Sequence, residues 1–158
     1  MLPQSYLEYS DMVEEIEEKK QEQTEEKLKI KDVKFNFDEG KFYFEGLEPE
    51  KMLEKKEIIR QWIKKLFYTE RDRWNCYIKD VGYPFGLNLY KYVGQQLYPD
   101  TAIIELIKED IYNSLLNHKD IKEIHCLQLL QIDDKMYCGF IVELEDDAFE
   151  AEEVLKTA

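Results

Sequence analysis

Long apolar runs and histidines are in short supply in this chain of 158 residues, cysteines number three and basic residues are outnumbered by acidic ones, and each of these excludes something. No uninterrupted apolar stretch approaches the roughly 18 to 20 residues that a membrane-spanning helix requires, so a soluble chain is expected. Three cysteines, Cys76, Cys126 and Cys138, are an odd number without metal-ligand spacing, and the opening Met1-Leu2-Pro3-Gln4 lacks the charged and apolar regions of a signal peptide. Reduced thiols in a cytoplasmic protein are therefore expected. His118 and His125 are too far apart for a helical pair, and neither has a Cys or acid at zinc-site spacing, so no metal is expected. Gly82, Gly86 and Gly94 lack the spacing and the strand-to-helix setting of a phosphate-binding loop or dinucleotide fingerprint, and no nucleophile elbow is present. Only 22 Lys+Arg stand against 35 Asp+Glu, a net charge of -13, which weighs against any partner bound by neutralising phosphates.

What is present suits one folded domain. With 44% hydrophobic and 13% aromatic residues, the chain has enough apolar side chains for an ordinary core. The acidity is uneven. Residues 1–27 hold nine acids and three bases, residues 143–158 hold seven acids and one base, and the stretch between them carries nineteen acids and eighteen bases. The centre is nearly neutral, and the two ends are expected to be solvated or to face basic partners.

Leu2, Tyr6, Tyr9, Val13 and Ile16 recur at spacings of 4, 3, 4 and 3, placing them on one stripe of a helix. A seam of two to three heptads is not stable alone in water, so it predicts a bundle with a partner. Further on, the seam positions become Lys20, Gln23 and Lys27, too polar for a buried stripe. From Val33 the period changes to two. Val33, Phe35 and Phe37, a turn at Asp38-Glu39-Gly40, and Lys41 to Glu45 predict a β-hairpin. Met52, Ile59, Trp62, Ile63 and Leu66 then predict one face of a helix from about Glu50 to Phe67.

Thr69 to Gly94 has no clean period and predicts an ordered loop with one short strand and one short helix. A second helix is expected to about Leu116, with Asp100 as its N-cap and Ile103, Ile104, Ile107, Ile111 and Leu115 buried. Lys122 to Ile132 and Lys135 to Glu145 predict a long hairpin around Asp133-Asp134, with Cys138, Phe140, Val142 and Leu144 on one face. A two-residue turn sets Cys126 opposite Ile141, on the other face from Cys138, which disfavours a disulfide and predicts small buried thiols. The expected architecture is α+β, a small mainly antiparallel sheet of two hairpins covered by helices, with an N-terminal helical extension. The expected divisions are an acidic helix and linker over 1–30, the α+β domain over 31–146 and an acidic tail over 147–158.

Among the carboxylates, Glu45, Glu70, Asp72 and Asp80 could be recruited as a hydrolytic pair. Nothing marks one of them as lying in the apolar pocket that raises a catalytic pKa, so surface carboxylates are the default and no enzyme or cofactor is expected. The aromatic run Tyr83 to Tyr92 suits a recognition surface and an irregular core equally.

At Thr69-Glu70-Arg71 and Gly82-Tyr83-Pro84-Phe85-Gly86-Leu87-Asn88-Leu89 the chain resembles the small baseplate wedge proteins of contractile phage tails, the sheath-initiator type found also in tailocins and prophage particles. The likeness covers about residues 33 to 145 and lies in the order of the elements. A hairpin ending at Gly46, a helix, the Thr-Glu-Arg turn, the Gly-Leu element, a second helix, the Leu115 to Ile121 junction and a final hairpin follow one another as in that family. Where many members carry Glu-Pro-Arg or Asp-Asp-Arg before the Ile, this chain reads His118-Lys119-Asp120-Ile121, leaving Lys119 as the candidate for the family's Arg charge.

The resemblance implies a non-enzymatic wedge subunit in a bacterial host, assembled in the cytoplasm and ending in the baseplate of the tail. Its implied partners are other wedge proteins and the tail sheath protein, with tube or hub proteins as further possibilities. It implies that the first sheath ring is laid on this subunit by strand addition. Some relatives of the fold carry a lysozyme label, which no motif here supports. The fold is also similar to that of a bacterial anti-adaptor that binds a response regulator, so a regulatory binding module is the alternative.

Overall fold

The structure, a computed structural model, describes residues 32–52, 54–74, 84–92, 94–98 and 101–156. The chain divides into two compact units whose boundary falls between Ile58 and Ile59. The predicted N-terminal seam lies outside the described residues.

Among the described residues of the first unit six two-residue strands build three short antiparallel arms. β1 (Asp32–Val33) pairs with β6 (Lys51–Met52), β2 (Phe35–Asn36) with β3 (Lys41–Phe42), and β4 (Phe44–Glu45) with β5 (Glu48–Pro49). Each of the three chain segments thus changes partner at its midpoint. There the backbone closes a ring: Lys34 N donates to Glu50 O at 2.9 Å, Glu50 N to Tyr43 O at 2.8 Å, and Tyr43 N to Lys34 O at 3.1 Å. The three N–H groups that a branch point would otherwise strand are all used. Side chains of the same residues reinforce the ring, Lys34 Nζ lying 2.9 Å from Glu50 Oε1 and 5.2 Å from the centroid of the Tyr43 ring.

Turn chemistry fixes two arms. Asn36 Oδ1 accepts from the N–H groups of Asp38 and Glu39, an Asx turn that reverses the chain into β3. Gly46 takes φ +70° at the first position of the two-residue loop Gly46-Leu47, where a II′ hairpin requires glycine. The predicted hairpin is therefore half of a larger device: only 35–36 and 41–42 pair in it, and 44–45 turn to a third segment. The predicted helix start near Glu50 is corrected as well. Glu48 to Met52 are strand, held by the junction, and α1 runs from Lys55 to Phe67.

The second unit is a three-stranded antiparallel sheet in the order β7 (Glu123–Ile132), β8 (Lys135–Glu143), β9 (Ala148–Lys156). Alternate residues of β8, namely Met136, Cys138, Phe140 and Val142, enter one buried cluster with Ile59, Ile63, Leu66 and Phe67 of α1. The same cluster takes in Ile104, Ile107, Ile111 and Leu115 of α2 (Ala102–Leu116). The rings of Phe67 and Phe140 stack 6.1 Å apart. This is the expected α+β class.

Five details differ from the expectations. Thr101, not Asp100, occupies the N-cap position of α2, and its hydroxyl donates backwards to Tyr98 O instead of capping the helix; Asp100 lies outside the described residues. Ile103 is exposed, because it sits at the margin of the buried stripe. The C-terminal residues expected as an acidic tail form β9, since Phe149 and Ala151 supply an inward face that complements β8. A one-residue bulge between His125 and Gln128 shifts the register, so His125 and not Cys126 faces Ile141. Both Cys126 and Cys138 are free thiols, Cys138 buried as expected but Cys126 exposed at the bulge.

Cys126 adopts φ +54°, the left-handed conformation that bulges usually assign to glycine. Replacing Cys126 by Gly relieves that strain and removes little packing. Stability is expected to rise by roughly 0.5 to 1 kcal/mol, read as a higher midpoint in urea unfolding.

Candidate functional site

Five of the residues quoted for the resemblance, Thr69, Glu70, Arg71, Gly86 and Leu87, come together around the Arg71 side chain. α1 ends at Phe67, where Thr69 turns its hydroxyl back to Lys65 O at 2.7 Å and is itself buried. The chain then runs extended for one residue beside Leu87: Leu87 N donates to Thr69 O at 2.9 Å and Arg71 N to Leu87 O at 3.1 Å, a single parallel bridge between Glu70 and Leu87. Among the described residues of this stretch a single bridge stands where a short strand is expected, and the 3-10 helix Asn88–Tyr92 supplies the short helix.

Arg71 then folds inward. Its Nε and Nη2 donate to Gly86 O at 3.1 and 2.9 Å, Nη2 also reaches Ser114 Oγ at 2.8 Å, and Nη1 pairs with Asp110 Oδ1 at 2.6 Å. The two charged side chains are only 7% and 14% exposed, so the pair is desolvated and is satisfied by the fork geometry that Lys lacks. The other carboxylate oxygen of Asp110 accepts from Asn88 N at 3.0 Å, and Ser114 Oγ donates to Asp110 O at 2.6 Å. Tyr90 closes the group by donating to Phe67 O at 2.8 Å. Asp110 and Ser114 escaped the sequence reading. The available signal was Ser114 itself, a polar residue between Ile111 and Leu115 in an otherwise apolar stripe.

Gly86 has φ +104°, and a Cβ there would stand 2.9 Å from Arg71 N and from Thr69 O. The parallel bridge leaves no room for a side chain.

The structure thus brings Thr69, Glu70, Arg71, Gly86 and Leu87 together, Leu87 being fully buried. Tyr83 and Asp80 lie outside the described residues, as do Leu2, Tyr6, Tyr9, Val13 and Ile16. At the junction after α2, Ile121 is buried, while Lys119 is exposed. His118 Nδ1 accepts from Asp120 N at 3.2 Å, and its ring meets Trp62 edge to face at 4.5 Å. His125 sits elsewhere, its Nε2 2.7 Å from Glu143, whose other oxygen lies 3.0 Å from Lys122 Nζ. These two partners, His125 first, hold the Glu143 carboxyl below its usual range. Of the carboxylates weighed for hydrolysis, Glu70 pairs with Arg73 at 3.0 Å, Glu45 lies on β4, and Asp72 occupies a left-handed turn at φ +64°. Among the described residues no three His, Cys, Asp or Glu are grouped to hold a metal ion, and no helix is long and apolar enough to cross a membrane.

A second feature is the sheet edge. Among the described residues β9 pairs only with β8. Leu144 N donates to Asp147 O at 2.7 Å, which sets the alternation of the ladder and turns the backbone groups of Ala148, Glu150, Glu152 and Val154 away from β8. One of them is occupied, Glu150 O accepting from Arg60 Nη1 at 2.9 Å while the guanidinium covers the Phe149 ring at 4.3 Å. Beyond it, Leu130, Tyr137 and Val154 form an apolar row across all three strands on the outer face.

On the inner face Glu153 lies across from Cys138 and is half-buried, and desolvation pushes its carboxyl up to about 7 against the weaker pull of Lys64. Burial, and secondarily the Glu153 charge, pushes the Cys138 thiol up to about 12.

No protein-family model matches the chain, and no curated protein matches it.

Gly86→Val places a branched side chain against Thr69 O and Arg71 N in a conformation it strains to adopt. A loss of roughly 3 kcal/mol or more is expected, measured by urea unfolding, with disruption of the Arg71 cluster. Glu153 supplies a pH test. Its proton is held more tightly in the folded chain than in the unfolded one, so its contribution is full below the unfolded pKa of about 4.5 and is lost as pH rises through about 7. Glu153→Gln is expected to match the wild-type melting temperature near pH 4 and to exceed it at pH 8. Parallel melting curves from pH 4 to 8 check this.

Proposed function

We propose that this chain is a non-catalytic assembly subunit that receives an extended arm of a neighbouring subunit along β9. The setting is the one the resemblance implies: the wedge of a contractile-tail baseplate, where the neighbour is the first ring of sheath protein. The observation that supports this reading is the outward backbone of β9 from Glu152 onward, a row of donors and acceptors that a fourth strand satisfies without disturbing the other three. Arg60 on Glu150 O gives the added strand a stop, and hence a register. The exposed Glu152 favours an arm carrying Lys or Arg, while Val154 offers the end of the apolar row. In this reading the seam from Leu2 to Ile16 joins the bundle of wedge proteins, and the protein passes from the bacterial cytoplasm into the particle. The Arg71 cluster serves as a rigid support and performs no chemistry.

Val154→Pro tests the reading, because it removes an N–H that points away from β8 and leaves the β8–β9 ladder its own bonds. The variant is expected to keep a melting temperature within a few degrees of wild type and to yield particles without sheath. In wild-type lysate the gold-labelled chain should sediment with tails and mark the end nearest the host. Normal sheathed tails from the variant, or a wild-type chain that stays in the supernatant as a small complex, would reject the assignment.

A further inference from the structure

The β4–β5 arm of the first unit has two unlike faces and an unusual apex. Phe44 and Pro49 face each other across its ladder, and Glu45 and Glu48 form the next pair on the opposite face. Two carboxylates directly opposite one another disfavour the ladder they sit on, and neither has an ion-pair partner among the described residues. At the apex Leu47 is 99% exposed, and Phe44 beside it is 61% exposed. Single exposed apolar residues are ordinary, but these two stand on one tight hairpin whose shape is fixed by Gly46 and by the junction beneath it. The arm therefore offers an apolar tip on an acidic stem, its shape set by the Gly46 turn and the pairing below it.

We propose that this arm is a docking knob whose tip enters an apolar pocket with a Lys or Arg rim on a partner protein. Charge selects the occupant. The six residues Phe44 to Pro49 hold two acids and no base, so an anionic membrane surface repels the tip that would have to enter it. In a two-fold contact of arm on arm, a second copy brings the same acidic stem against itself and like charges together. A basic-rimmed pocket removes the Glu45–Glu48 repulsion and covers Leu47 in one step. The inference uses the first unit alone and stands independently of strand addition at β9.

The test replaces Leu47 by the photo-crosslinker p-benzoylphenylalanine in the full chain, irradiates producing cells and sequences the linked peptide. The expected product is a link to one partner peptide that holds apolar residues and a Lys or Arg nearby. In the same chain Glu45→Lys with Glu48→Lys is expected to lower the yield roughly tenfold or more, and Glu45→Gln with Glu48→Gln by a smaller factor. Leu47→Ser, without the crosslinker, is expected to weaken binding to the identified partner by roughly ten- to a hundredfold at an unchanged melting temperature. Absence of a link, a link to phospholipid or to a second copy, or a yield indifferent to both charge variants overturns the proposal. Vesicles of phosphatidylcholine with phosphatidylglycerol should fail to sediment the wild-type chain, and sedimentation with them also overturns it.

Discussion

The guanidinium of Arg71 is the contact on which the second unit's irregular half depends. Between α1 and α2 the described residues form one isolated bridge, Glu70–Leu87, one 3-10 turn and a few local turn bonds, little regular structure to fix a path. Arg71 supplies the rest by reaching the Gly86 carbonyl on one side and Asp110 and Ser114 of α2 on the other. A buried charge tolerates such a position only when its hydrogens are used, and here the fork geometry uses them. Leu87, Leu89 and Phe85 then pack under the helices because the loop that carries them is pinned. The same dependence explains why a glycine stands at position 86: the carbonyl that Arg71 holds belongs to a residue pressed against Arg71's own backbone.

The regular part of this architecture was legible in the sequence because apolar spacing alone determines it. The stripe from Ile104 to Leu115 and the alternation from Met136 to Leu144 are buried as their periods require. What escaped is set by partners distant in the chain. Two-residue strands carry too few side chains for a period, so the junction at Lys34, Tyr43 and Glu50 leaves only the turn signals at Asp38-Glu39-Gly40 and Gly46. The seven acids after Val142 outweigh the inward alternation of Phe149, Ala151 and Leu155, so composition points to a tail where the structure forms a strand. The bulge at Cys126 has no glycine to announce it. For the candidate site, Thr69, Arg71, Gly86 and Leu87 were singled out by resemblance, while Asp110 and Ser114 became visible only once α2 was placed beside the loop.

Acidity at the C-terminal end acquires a specific geometry once β9 is formed. Glu150 and Glu152 stand on the outer face, and Glu153 turns inward against Cys138. An edge strand with an inward carboxylate is harder to stack into a continuing sheet of identical copies, a device that keeps edges from aggregating.

The ring of three backbone bonds at the branch of the first unit has a further consequence. In an ordinary hairpin two strands can slide past each other by two residues and recover most of their bonds, so register is decided by side chains. Around a closed ring of three segments a displacement in one arm must be matched in the other two, since each segment belongs to two arms at once. Alignment becomes a property of the whole loop of contacts, and a single two-residue arm gains the positional certainty of a much longer sheet.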